Sequence, residues 1–358
     1  MPGNTTVVVV EGFSPAFVEE LQAAVDASAA AAELVCAEGR EEVVAALRLG
    51  AQGYIGDQSL EDVVGEAPGL RWAHVKSAGV ETEPVALLAE RGVTLTNSAV
   101  IYGPQLADHV MALVLAFSRQ LSYLFEAQRE QRWASRSEFP AGELDGQTLL
   151  VVGLGGAGEA TARRASAFGM RVLATRRNTA AETPPFVDEV FGSDRATLHT
   201  LLPRADFVAV CCGLNTETHR LFGAEEFSLM KESAAIVTVA RGAIIDSDAL
   251  VEALRSGAIA GAGLDVTDPE PLPPGHSLWT TPNTVITPHA SGHSPNAARR
   301  LELLVIENVQ RFCAGEELRN VVSPANDGWE ISEEEKLAAH EAHEVAKRSM
   351  AAAAKPRL

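Results

Sequence analysis

Twelve short runs rich in Val, Ile, Leu and Ala alternate with longer stretches whose apolar residues recur at helical spacing. No other feature constrains the fold as much, because this alternation is the pattern of parallel strands joined by crossover helices. The first set is TTVVVVEG (5–12), ELVCA (33–37), AQGYIGD (51–57), LRWAHV (70–75) and GVTLTN (92–97). The second is QTLLVVGLG (147–155), RVLAT (171–175), DEVFG (188–192), ADFVAVCC (205–212), AAIVTVA (234–240), AIAGAGLDV (258–266) and TVITPH (284–289). Twelve strands are too many for one open sheet, so two sheets in two doubly wound α/β domains are expected.

Two apolar helices punctuate these sets, PQLADHVMALVLAFSRQL (104–121) and SPNAARRLELLVIENVQRFCAG (294–315). They divide the chain into residues 1–102 plus 294–323, a second domain over 103–293, and an extension over 324–358. The extension is charged and Ala-rich, a surface helix with a loose end. Its His340 and His343 stand at helical spacing and are read as solvated. The four cysteines show neither metal spacing nor a disulfide framework, so no metal site is expected and a reducing cytoplasm is the natural compartment. Cys211 and Cys212 end an apolar strand and read as small buried hydrophobes. A formal charge of -19 argues against nucleic acid or an anionic membrane as partner. No apolar run reaches membrane-spanning length, and the start MPGNTTVVVVEGF lacks the basic flank of a signal peptide.

Chemistry enters at Gly153-Leu154-Gly155-Gly156-Ala157-Gly158, which fits G-x-G-x-x-G between an apolar strand and a helix of small residues. In that setting Gly153 permits the tight turn, Gly155 lets the backbone approach a pyrophosphate, and Gly158 lets helix and strand pack closely. The helix start then offers its N–H groups to the phosphates. The following strand, where such units carry an acid for the adenosine ribose, ends instead in Thr175-Arg176-Arg177, with no acid until Glu182. A guanidinium cannot accept from ribose hydroxyls but pairs well with a 2′-phosphate, so NADP(H) is expected to be preferred over NAD(H).

Three further stretches make the pattern specific: VARGAIIDSDALVEAL (239–254), GAGLDVTDPEPLPPGHSLW (261–279) and TPNTVITPHASG (281–292). With the glycine run, their order and spacing resemble the D-isomer-specific 2-hydroxyacid dehydrogenases, from about residue 70 to about 323. The resemblance implies a Rossmann dinucleotide-binding domain inserted in a flavodoxin-like substrate domain, with the site in the cleft between them. It also implies a homodimer with the helix after 104 in its interface.

The resemblance identifies Arg241, Glu270 and His289 as the catalytic trio. Reduction of a small 2-keto acid, such as glyoxylate or hydroxypyruvate, to the D-2-hydroxy acid needs hydride from the nicotinamide and a proton for the emerging alkoxide. His289 suits the acid, Glu270 its orienting partner, and Arg241 the substrate carboxylate and carbonyl. Asp265 matches the residue that contacts the nicotinamide carboxamide. Cys212, Gly213, Thr218, Val239, Ala240 and Ser291 fall in the same cofactor-lining stretches. Ala78, Gly79 and Val80 match the loop whose main-chain N–H groups receive the carboxylate, whereas the neighbouring Lys76 reads as solvated.

Several positions depart from the family. Asp108 stands for the usual Glu of the hinge helix, Gly213-Leu214-Asn215 for Pro-Leu-Thr, Thr238 for Asn, and Glu81 for Asp. They leave the reaction intact and the keto acid open. Two alternatives are a dinucleotide-sensing, co-repressor-like binding protein and a biosynthetic dehydrogenase for a phosphorylated or bulky 2-hydroxy acid.

Overall fold

The computed structural model describes residues 6–27, 32–57, 65–79 and 82–322, so the extension from 324 and its histidines lie outside the described residues. The chain falls into two compact units, Met1–Tyr102 with Ser294–Leu358, and Gly103–His293.

In the first unit, β1 (Thr6–Glu11), β2 (Ala32–Ala37), β3 (Gly53–Gly56), β4 (Trp72–Val75) and β5 (Thr94–Thr96) form a parallel sheet in the order β2-β1-β3-β4-β5. This is the flavodoxin-like doubly wound order. Helices α1 (Pro15–Asp26), α2 (Gly39–Arg48) and α3 (Thr82–Glu90) link the strands. Ser14 starts α1 by accepting the Phe17 amide, with Pro15 in the first turn. A long helix, Pro295–Ala314, returns to this unit, where Val305 and Val309 pack with Val8, Val10, Phe17 and Trp72 on one face of the sheet. Val9, Tyr54, Ala73 and Leu88 fill the other face.

The second unit begins with α4 (Gly103–Ser118), whose Ala107, Val110, Met111, Leu113 and Val114 are buried. The sequence pattern predicts one helix through 121, but the chain turns by 70° at Arg119–Gln120 and restarts as α5 (Leu121–Arg129). Gln120 adopts φ +55°, a left-handed conformation that ends the helix whatever the apolar pattern around it. No single described helix is long and apolar enough to cross a membrane.

Seven parallel strands follow: β6 (Thr148–Val152), β7 (Arg171–Thr175), β8 (Glu189–Phe191), β9 (Phe207–Val210), β10 (Ala235–Thr238), β11 (Gly261–Leu264) and β12 (Thr284–Ile286). Their order is β12-β11-β10-β9-β6-β7-β8. Counted from β6 this is the Rossmann order with one strand added, and the order reverses between β6 and β9. All twelve runs of the sequence pattern are thus strands; β3, β4, β9, β10 and β11 are buried throughout, whereas the edge strands β2, β8 and β12 are only partly buried.

Candidate active site

β6 ends where the strand order of the second unit reverses, and the glycine loop leads from it into α6 (Gly156–Ala167). Gly153 has φ +99°, and a Cβ there would lie 2.6 Å from the Cys212 backbone. A Cβ on Gly158 would lie 2.0 Å from the Gly153 carbonyl, so the helix packs against the turn only as glycine. Beside Gly155, by contrast, nothing lies within 4 Å of where a Cβ would be. Open space at the start of a twelve-residue helix suits a dinucleotide pyrophosphate. Ser291, 3% exposed, is buried beside the Asp265 carboxylate.

Other cofactor candidates are placed as follows. Thr175 is 2% exposed, and its hydroxyl accepts the Gly153 amide at 3.3 Å, so it ties β7 to the glycine turn. The two arginines after it part company. Arg176 is buried, with its guanidinium bonded to the carbonyls of Ala181 and Glu182 in the same loop, and its Nε has no partner. Arg177 is exposed. The outward cation of the pair is therefore Arg177. Gly213 has open space around it, and Thr218 donates to the Gly213 carbonyl at 2.7 Å, closing the loop after β9. Burial pushes the Cys211 and Cys212 thiols up to about 12, so both are neutral. Val239 is buried and Ala240 half-buried at the end of β10.

Beyond β10, Gly242 follows Arg241 in a 3-10 turn, and a Cβ on it would lie 2.0 Å from the Thr267 carbonyl. The A-R-G turn is thus pressed against the segment that leads to Glu270. Arg241 is exposed, and its Nη1 donates to the Ala240 carbonyl at 2.8 Å. Glu270 and His289 meet directly: Oε1 of the carboxylate is 2.5 Å from Nδ1 of the ring. That bond leaves Nε2 as the ring atom able to serve a reactant. Among the described residues no hydrogen bond joins Arg241 to either of them.

His289 sits past the end of β12 with φ +50°. What holds it there is Asp265, whose carbonyl accepts the His289 amide at 2.8 Å. The Asp265 carboxylate accepts the Ala290 and Ser291 amides at 2.9 and 3.0 Å and the Thr287 hydroxyl at 2.5 Å. Burial acts to raise its pKa, but these donors outweigh burial and hold it below the usual value. His109 on α4 joins the group, its Nε2 2.9 Å from the Thr287 hydroxyl. Because that hydroxyl donates to Asp265, His109 Nε2 is the donor in this contact. Neither Thr287 nor His109 was a candidate from sequence, although Thr287 lies in the T-P-H motif itself.

In the first unit the candidate loop follows β4. Ala78 and Gly79 are half-buried, and Val80 lies outside the described residues. Lys76 differs from its solvated expectation. Its Nζ pairs with Asp57 at 2.6 Å and donates to the Glu11 and Gly12 carbonyls, because β1 and β3 end beside it. Elsewhere, His199, Glu225 and Glu226 bring ligand-type atoms within 4.8 Å of one another. Glu226 is paired there with Arg195 at 2.5 Å and with His199 at 2.8 Å, which accounts for the cluster as an ion pair.

Residues 111–291 match the family described as "D-isomer specific 2-hydroxyacid dehydrogenase, NAD binding domain". The chain is 35% identical over 279 residues to a glyoxylate/hydroxypyruvate reductase B of Pectobacterium carotovorum subsp. carotovorum, covering 76% of this chain and 86% of that protein. A glyoxylate reductase of Aeropyrum pernix is 33% identical over 271 residues, covering 73% and 79%. An NADPH-dependent glyoxylate/hydroxypyruvate reductase of Sinorhizobium meliloti, solved with NADP and sulfate, has a TM-score of 0.72 at 25% identity. The match covers 90% of this chain and 100% of that one.

Proposed function

The chain belongs to the D-isomer-specific 2-hydroxyacid dehydrogenases, and we propose that it is an NAD(P)-dependent reductase of a small 2-keto acid of the glyoxylate and hydroxypyruvate kind. The observation that carries this reading is the 2.5 Å contact between Glu270 and His289. When bound, the nicotinamide supplies the hydride that reduces the keto carbon. His289 Nε2 gives the proton that the emerging alkoxide takes up, and Glu270 stabilises the charged ring before that transfer. Arg241 takes the substrate carboxylate and polarises the carbonyl, a task for which a planar guanidinium offers two parallel donors. The amides of the loop at Ala78 and Gly79 receive the carboxylate as well.

The cofactor would be held at the glycine loop 153–158, with Ser291, Thr218, Val239 and Ala240 lining its nicotinamide half. NADP(H) is the preferred form in this proposal, supported by the exposed Arg177 and by the absence of an acid before Glu182. A homodimer is part of the same proposal, with α4 and the segment after it in the interface. Phe125 and Trp133, 54% and 97% exposed, support it, since large apolar side chains at the surface mark association sites. A cytoplasmic setting fits four unpaired cysteines. The direct test is oxidation of NADPH and NADH in the presence of glyoxylate or hydroxypyruvate. Loss of most of the turnover in His289→Ala is the expected result, and no turnover by the native chain with any 2-keto acid would overturn the reading.

A further inference from the structure

We infer that Asn97, Ser98 and Tyr102 are positioning residues that turn the carbonyls of the loop after β4 inward and thereby aim its amides at the substrate carboxylate. This rests on the proposal that the loop binds that carboxylate. Five successive carbonyls, Val75 to Gly79, each accept a donor. Ser98 Oγ donates to Val75 at 3.2 Å, Tyr102 OH to Lys76 at 2.8 Å and the Ser98 amide to Ser77 at 3.0 Å. Asn97 Nδ2 donates to Ala78 at 2.7 Å and Ser77 Oγ to Gly79 at 2.8 Å.

A trans peptide is planar, with C=O and N–H on opposite sides, so fixing a carbonyl fixes the amide of the next residue. Tyr102 thereby sets the Ser77 amide, Ser98 the Ala78 amide and Asn97 the Gly79 amide. Among the described residues no acceptor takes the Ala78 or Gly79 N–H. The nearest lysine does not compete for an anion, because Lys76 is bonded to Asp57.

The clamp is itself anchored. Asn97 Oδ1 accepts the Ala99 amide at 3.1 Å, and Asn320 Nδ2 holds the Asn97 and Ala99 carbonyls at 3.1 and 3.0 Å. Below Ser98 lies His74, fully buried, with Nδ1 2.8 Å from the Thr96 hydroxyl and Nε2 3.1 Å from the Ser98 hydroxyl. Trp72 Nε1 donates to Thr96, and Ser98 donates to Val75. Because Ser98 donates to Val75, a neutral His74 donates from Nε2 to Ser98 and accepts at Nδ1 from Thr96, whose single proton takes this 2.8 Å contact over the longer one of 3.4 Å to the Ala73 carbonyl. Burial holds His74 down to about 3, which keeps that arrangement intact at neutral pH.

The test measures KM for glyoxylate, KM for NADPH and kcat in Tyr102→Phe, Asn97→Asp and Ala78→Pro. Tyr102→Phe deletes one donor with little change of shape. Asn97→Asp keeps the acceptor for Ala99 and sets an oxygen against the Ala78 carbonyl. Loss of one oriented donor predicts a rise of about five- to tenfold in KM for glyoxylate in each, with KM for NADPH and kcat far less affected. Asn97→Gln, whose longer amide can still donate, should recover part of the loss. A rise in Ala78→Pro alone would overturn the clamp and leave the loop as carboxylate binder. No change in any of the three would remove the loop from substrate binding altogether. Equal losses in kcat and in both KM values would mean a merely structural role and would also overturn the inference.

Discussion

The Asp265 carbonyl accepts the amide of His289, and the two amides that follow, those of Ala290 and Ser291, bond to the carboxylate of the same residue. Asp265 therefore holds the turn at His289 by three consecutive N–H groups, two of them through its side chain. Asp265→Ala should release Ala290, Ser291 and the Thr287 hydroxyl together. Charge-assisted bonds of this type contribute about 1.5–3 kcal/mol each, so Tm should fall, and displacement of His289 should lower kcat on the order of 100-fold. Asp265→Asn, which keeps one good acceptor, should fall between. A residue that only touches the cofactor would weaken NADPH binding and leave Tm unchanged.

The contact between Glu270 and His289 predicts a separable set of defects. His289→Ala should lower kcat by roughly 100- to 10,000-fold, the usual worth of a positioned acid. Glu270→Gln can still accept from Nδ1 but lacks the charge, so its kcat should fall less than that of Glu270→Ala. Arg241→Lys should mainly raise KM for the keto acid, because an ammonium cannot make the two parallel bonds of a guanidinium. Steady-state kinetics on the four variants check this order, and equal kcat in Glu270→Gln and Glu270→Ala would contradict the assigned pairing.

Much of this was legible in the sequence, for local reasons. The glycine run, A-R-G, and the E-P and T-P-H motifs each lie where a strand of the second sheet ends, so spacing along the chain predicts their placement at the same edge of the sheet. Burial on both faces also made the inner strands, such as β4, β9 and β10, stand out as apolar runs. What stayed hidden depends on bonds between distant segments. Arg176 folds inward because the carbonyls of Ala181 and Glu182 come back to meet it, and nothing in the residues 175–177 says so. Asn97 and Tyr102 act on a loop about twenty residues earlier, and side chains of that kind carry no pattern. The helix break at Gln120 is invisible because apolar residues continue on either side.

His74 gives the first unit a pH dependence with a definite sign. Its folded pKa of about 3 lies below the ordinary value of 6.5, so the unfolded chain binds the proton more tightly. The stability contributed by the neutral ring is fully present above pH 6.5 and is lost as pH falls from there towards 3. The loss approaches about 1.4 kcal/mol per pH unit within that window. Denaturant midpoints at pH 7.5 and pH 5 should therefore differ more for the native chain than for His74→Gln, which starts less stable but lacks this proton linkage. Parallel pH curves for the two proteins would refute the assignment.

The last prediction concerns the two arginines that stand where a ribose-binding acid is expected. Arg176 is buried and bonded to carbonyls of its own loop, whereas Arg177 is exposed at the end of β7. Their substitutions should therefore differ in kind. Arg177→Ser should lower kcat/KM for NADPH by about 10- to 150-fold, the equivalent of one charge-assisted contact of roughly 1.5–3 kcal/mol, and leave NADH nearly unchanged. Arg177→Asp should go further and favour NADH, by repelling the 2′-phosphate and supplying an acceptor for the ribose hydroxyls. Arg176→Met should impair both cofactors alike, since it unties the loop from Ala181 and Glu182 without removing a phosphate contact. Added salt should weaken NADPH more than NADH in the native chain, as a contact near solvent is screened. Equal use of NADPH and NADH by the native chain, together with an inert Arg177→Ser, would show that neither arginine reads the phosphate.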